Sequence, residues 1–170
     1  MRLYCEKPGE TPLLLTLGDL MDIQKETSII QEPTAHSENL LSKLAYATPE
    51  NAPLVPGRRS FFNYRDLGVT DATDGFMRAQ MTLATGVMEK TGWHYHICES
   101  QFIFAVKGWI DLQFEDGRTI RVSEGESLSI PPGLPHNETA ISSDLELLEV
   151  SVPAKMKTVA CDPPANLGPV

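Results

Sequence analysis

An all-β fold is the class this chain of 170 residues predicts, and three observations carry it. Prolines fall at 8, 12, 33, 49, 53 and 56, none occurs from 57 to 130, and they return at 131, 132 and 135. Proline cannot donate to a strand ladder, so the proline-free stretch is the body of a sheet. Within that stretch the apolar residues recur with period two, in short runs. Turn residues separate those runs at roughly 8–12-residue spacing, the pattern of an antiparallel sandwich or barrel.

Taken in order, residues 1–56 read as a peripheral arm, 57–153 as the barrel and 154–170 as a C-terminal tail. In the arm, 17–26 has a helical pattern. Ser37 can cap a second helix over 38–47, whose Leu40, Leu41 and Leu44 form an apolar stripe expected to pack on the sheet. Residues 51–57 (NAPLVPG) form a linker or extended edge. Then Met77, Ala79, Met81 and Leu83 share one face of a strand, and 93–98 alternates again. Residues 101–106 are apolar on both faces apart from Gln101, as in a buried strand, with Phe102 and Phe104 as core or wall. Ile110, Leu112 and Phe114 line the next strand. Asp116-Gly117 supplies a strong hairpin turn, Ile120 and Val122 return, and Glu124-Gly125 turns again. Segments 127–130, 137–141 and 145–152 complete the strands.

Composition narrows function. Lys plus Arg number 14 against 23 Asp plus Glu, a net charge of −9. A phosphate-tracking protein shows a basic patch, and the one adjacent basic pair is Arg58-Arg59, so neither nucleic acid nor an anionic membrane is an expected partner. No apolar run reaches the length of a membrane span, and the N-terminus lacks a signal-peptide core, so a soluble, cytoplasmic protein is expected. Cys5, Cys98 and Cys161 are odd in number and widely spaced, which fits neither a disulfide framework nor a zinc knuckle.

The chemistry concentrates in histidine. His94 and His96 stand two apart on a strand, so both imidazoles leave the same face with Cα atoms about 7 Å apart. Two such rings can converge on one ion. His136 is the candidate third ligand, because the rigid turn Pro131-Pro132-Gly133-Leu134-Pro135 fixes the start of its strand. The fourth histidine, His36, lies in the arm and is expected to be exposed or structural.

The spacing of these residues resembles the cupin superfamily. Its first motif sets H-x-H three or four residues before a glutamate and a further six before a glycine. Here His94-x-His96 precedes Gln101 and then Gly108. Its second motif runs from glycine through P-x-G to histidine, matched by Gly125, Pro131, Gly133 and His136. The resemblance covers about residues 59–152. It implies a double-stranded antiparallel β-helix, or jelly-roll barrel, of the small single-domain metal-binding type, holding one divalent transition metal ion on His94, His96, Gln101 and His136. Imidazole accepts iron, manganese, nickel, copper and zinc alike. It also implies a homodimer.

Three positions depart from the family pattern. Met88 and Ala140 replace a glycine and an asparagine of turns and packing, and Gln101 replaces the usual glutamate ligand. Three imidazoles and an amide leave the charge of a divalent ion uncompensated, which makes an anionic substrate more attractive. Alternatively Gln101 does not bind, and the site is an open three-histidine face. Cys98 shares strand parity with the histidines and, with Met81 and Trp93, is expected to line the pocket; Glu99 is a turn residue. The expected function is a metal-dependent cupin acting on a small anionic or enolisable organic molecule. Its expected chemistry is dioxygenase-like, by analogy with other three-histidine sites. A metal-dependent isomerase or cyclase, and a non-catalytic small-molecule binder, are the alternatives.

Overall fold

The computed structural model describes residues 40–89, 91–165 and 167. The chain divides between residues 39 and 40 into two units, and all described residues belong to the second. The expected arm helix at 17–26, the Ser37 cap and His36 lie outside the described residues.

Eleven strands are described: β1 (Val55–Pro56), β2 (Phe62–Asp66), β3 (Arg78–Ala84), β4 (His94–Ile97), β5 (Ser100–Lys107), β6 (Trp109–Phe114), β7 (Thr119–Ser123), β8 (Ser127–Ile130), β9 (His136–Ile141), β10 (Glu146–Val152) and β11 (Lys157–Ala160). They form one sheet in the order β1-β2-β3-β10-β5-β8 and a second in the order β11-β4-β9-β6-β7. Every strand pair is antiparallel. This is the two-sheet jelly-roll barrel that the period-two pattern predicts. Besides strands there is a one-turn helix, α1 (Val69–Ala72), and a 3-10 turn at Leu40–Lys43. No helix among the described residues is long and apolar enough to cross a membrane.

The hairpin turns follow their local chemistry. At the β6–β7 turn, Gly117 adopts φ 88°, and Asp116 Oδ1 accepts from the Arg118 N–H at 3.1 Å. The core lies between the sheets, where Ile103 and Ala105 of β5 and Leu147 of β10 meet Ile110, Leu112 and Phe114 of β6 and Val122 of β7.

Three expectations need correction. The segment at 38–47 is not a regular helix over its described part, which holds only the 3-10 turn. Leu40, Leu41 and Leu44 are 65%, 80% and 73% exposed, not packed on the sheet. Two strands escape the sequence pattern: β2, with one buried residue in five, and β11, inside the expected tail. Finally, β5 is apolar on both faces apart from Gln101 but is not buried on both: Gln101, Ile103 and Ala105 point inward, while Phe102 and Val106 lie on the outer face and are partly exposed.

Candidate metal centre

His94 and His96 leave β4 on the same inward face, as the i, i+2 parity requires, and both are buried. His136 begins β9 directly opposite His94. Its position is fixed by the proline turn, which is tied to β4: the Gly133 N–H donates to the His96 carbonyl at 3.0 Å. The three rings are tilted against one another by 53 to 69°, with centroids 4.5 to 5.1 Å apart.

Hydrogen bonding sets which nitrogen faces inward. A carbonyl only accepts, so Nδ1 of His94 donates to the Gly92 carbonyl at 3.0 Å and Nδ1 of His136 to the Leu134 carbonyl at 2.9 Å. Each neutral ring therefore keeps its lone pair on Nε2. His96 Nδ1 lies 3.1 Å from the Thr158 hydroxyl on β11. The ligand atoms of the three histidines lie within 4.8 Å of one another, so one point lies within about 2.8 Å of all three, close to a coordination distance. Oriented rings of this kind are how proteins prepare metal ligands. The three-histidine group can hold a metal ion.

Across the barrel, three strands of the other sheet present a polar row. Glu149 of β10 accepts from Gln80 Nε2 of β3 at 2.8 Å and from Gln101 Nε2 of β5 at 3.2 Å. A carboxylate has no proton to give at neutral pH, so it fixes the Gln101 amide with nitrogen toward Glu149. The Gln101 carbonyl oxygen is left buried and without a hydrogen-bond partner. Gln101, Gln80, Glu149, His96 and His136 line one cavity of about 180 Å³. A second buried oxygen without a partner belongs to Glu138, two residues after His136, and Glu138 lines the same cavity. Buried polar atoms are rarely left unmatched, and two such acceptors beside three converging imidazoles fit a cation.

The other expected pocket residues fall elsewhere. Met81 sits on β3 between Gln80 and Thr82, which line the cavity, so its side chain is on the opposite face. Trp93 is buried just ahead of β4, outside the cavity lining. Cys98 lies in the turn between β4 and β5, also outside the lining; it is a free thiol whose pKa burial raises. Glu99 is an exposed turn residue, as expected.

Several cavity residues were not anticipated. Arg58, Arg59 and Arg78 line it together with Thr158. Arg58 donates to Thr158 Oγ1 at 3.0 Å and Arg59 to the Thr91 carbonyl at 3.0 Å. Neither acceptor is a carboxylate, so these contacts leave both positive charges uncompensated in a chain of net charge −9. Thr158 thus links Arg58 to the ring of His96.

Burial, with the charges of neighbouring rings, lowers the His96 pKa from 6.5 to about 3, and burial lowers that of His136. At neutral pH both rings are uncharged and ready to donate to a metal. For Glu138, burial alone favours the neutral acid, yet the positive charge His94 carries when protonated and a hydrogen bond from Thr91 hold its carboxyl below the usual range.

A pH dependence follows for the metal-free protein. Between pH 6.5 and about 3 the unfolded chain protonates this imidazole while the folded chain does not. Stability is therefore fully present above 6.5 and falls as the pH drops toward 3. From pH 7 to pH 5 the expected loss from His96 is about 2 kcal/mol. Urea denaturation in chelator at the two pH values checks it, and His96→Asn should remove most of that loss. An equal loss in the variant would exclude His96 as the cause.

The comparisons with known proteins agree with this architecture. Residues 79–151 match the family model described as a cupin domain. No curated protein matches the chain in sequence. Among solved structures, the polyketide cyclase RemF from Streptomyces resistomycificus superposes with a TM-score of 0.55 at 20% identity, over 71% of this chain and 89% of that one. KdgF from a Halomonas species gives 0.55 at 14% identity, over 65% and 96%. The hydroxypropylphosphonic acid epoxidase from S. wedmorenis gives 0.50 at 14%, over 64% and 59%. At such identities the likeness is one of fold. Two antiparallel sheets, both histidine motifs in register on them, and the cupin-domain match over residues 79–151 are together consistent with a member of the cupin superfamily.

Proposed function

We propose that this protein is a metal-dependent enzyme acting on a small organic anion, with dioxygenase-like chemistry. One observation carries the reading: three buried imidazoles bring ligand nitrogens within 4.8 Å of one another beside a cavity lined by arginines. His94, His96 and His136 hold the ion, and the Gln101 carbonyl oxygen offers a neutral fourth donor. A bound ferrous ion or its like would supply dioxygen activation and would polarise a substrate oxygen.

The remaining work falls to the chain. Arg58 and Arg59 bind the anionic group, since a guanidinium fork matches a carboxylate. Ile103, Ile110, Leu112 and Leu147 form an apolar wall that takes the organic body and excludes water. Thr158 holds both Arg58 and His96, so the anion site and the metal ligand share one support. Glu149 keeps the Gln101 oxygen free of other hydrogen bonds.

Metal analysis of protein purified without added metal should find close to one equivalent of a transition metal. Iron-loaded protein should then take up oxygen with one member of a panel of aromatic and 2-oxo carboxylates. Failure to bind iron, manganese, nickel, copper or zinc at micromolar concentration would defeat the metal reading. Turnover without oxygen uptake would exclude dioxygenase chemistry and favour an isomerase or cyclase, while binding without turnover would exclude catalysis.

A further inference from the structure

A divalent ion held by three imidazoles and an amide lacks any negative ligand, and position 101, where the superfamily places a glutamate, cannot supply one. The structure offers a carboxylate from another strand. Glu138 is two residues beyond His136 on β9, so the two side chains leave the same inward face. The register between β6 and β9 shifts directly after it: Leu112 faces Glu138, whereas Asp111 faces Ala140. This leaves Thr139 as the extra residue of a bulge, a device that re-aims neighbouring side chains and recurs beside active sites.

Two atomic observations concern its carboxylate. Oε1 lies 3.7 Å from Nε2 of His94, the nitrogen that carries the lone pair. That is too long for a hydrogen bond. It is close to the spacing of two ligands on one ion, which runs from roughly 3.0 Å at a right angle to roughly 3.6 Å at 120° for bonds of about 2.1 Å. The other oxygen, Oε2, is buried and has no hydrogen-bond partner. The ion-pair contact of Glu138 among the described residues is with that histidine, not with an arginine or lysine. A carboxylate placed this way is costly unless a cation completes it.

We propose that Glu138 is the anionic ligand of the metal centre, supplying from β9 the negative charge that position 101 no longer carries. The inference rests on the metal reading above and adds to it the residue that balances the ion. Its consequence is a site whose anionic ligand comes from the same strand as His136, while the Gln101 side of the cavity offers the ion a neutral amide oxygen.

Cobalt(II) and zinc(II) binding to the full chain tests it by calorimetry, by competition with a chromogenic chelator and by the visible spectrum of the cobalt form. Glu138→Gln, nearly equal in volume, should weaken both metals at least tenfold, shift the cobalt bands, and shrink the rise in Tm that metal produces. Adding Gln101→Glu to that variant returns a carboxylate to the site and should recover much of the lost affinity. Wild-type protein that binds no metal would overturn this assignment together with the metal reading. Wild-type protein that binds metal, beside a Glu138→Gln variant of equal affinity and unchanged cobalt spectrum, would overturn the assignment alone.

Discussion

Replacing His136 with alanine is expected to raise the dissociation constant for zinc or cobalt by at least about a hundredfold. Loss of a residue that merely orients a ligand already costs roughly 10–100-fold, and loss of a ligand costs more. His136 is the member that joins the two strands of the site, opposite His94 on the next strand and against Phe114 on the other side. Without it, His94 and His96 remain as a two-ring chelate on β4 alone. The fold itself also suffers. The ring is 1% exposed, and its removal opens a cavity and leaves the Leu134 carbonyl without its donor, a loss of about 2–4 kcal/mol together. His136→Gln separates the effects, because it fills most of the space yet lacks the imidazole nitrogen. Both variants should lose metal while the glutamine variant keeps most of the stability. Metal affinity equal to wild type in a folded His136→Gln protein would remove His136 from the site.

That site was legible where strand geometry and turn chemistry act locally. The two-residue spacing of His94 and His96 dictates a shared face and the proline turn marks where β9 begins, whereas the meeting of all three rings was implied by the resemblance of the two motifs to the cupins and depends on the pairing of β4 with β9. The inward face of β3 was not legible, for a physical reason. Reading apolar as inward assigns Met81 to the interior, but around a polar cavity the rule inverts, and Arg78, Gln80 and Thr82 line it instead. The same inversion hides Arg58 and Arg59, which as a dipeptide read only as a feeble basic patch. Glu138 had a signal that went unused: parity with His136 on one strand places it inward. Strand β11, four residues of KTVA, is too short for its alternation to register, yet its Thr158 supports His96. The leucines at 40, 41 and 44 show the converse error, a helical spacing within which only Leu40–Lys43 turns, and with nothing buried.

Gly108→Ala should destabilise the barrel by about 3 kcal/mol or more and loosen the centre from a distance. Gly108 is the single residue between β5, which carries Gln101, and β6, which pairs with the His136 strand. Its φ of +70° lies in the left-handed region, where a side chain costs roughly 1–2 kcal/mol. It is also enclosed. A Cβ there would stand 2.1 Å from Ser142 Oγ, 2.9 Å from Asp144 Oδ1 and 3.1 Å from Leu145 Cα. The Ser142 hydroxyl cannot move aside freely, because it accepts the Trp109 N–H at 2.9 Å while the Ser142 N–H donates to the Trp109 carbonyl at 2.9 Å. Overpacking of this kind adds about 1–3 kcal/mol. Gly125 provides the internal control: its φ is +82°, yet nothing lies within 4 Å of an added Cβ, so Gly125→Ala should show the conformational cost alone. Urea denaturation of the two variants reads the difference, which isolates the clash. Equal losses would mean that the Ser142 contact carries no energy. In Gly108→Ala protein that still folds, metal affinity should fall as well, because the β5–β6 connection sets how the Gln101 sheet faces the histidine sheet, whereas Gly125→Ala should leave it unchanged.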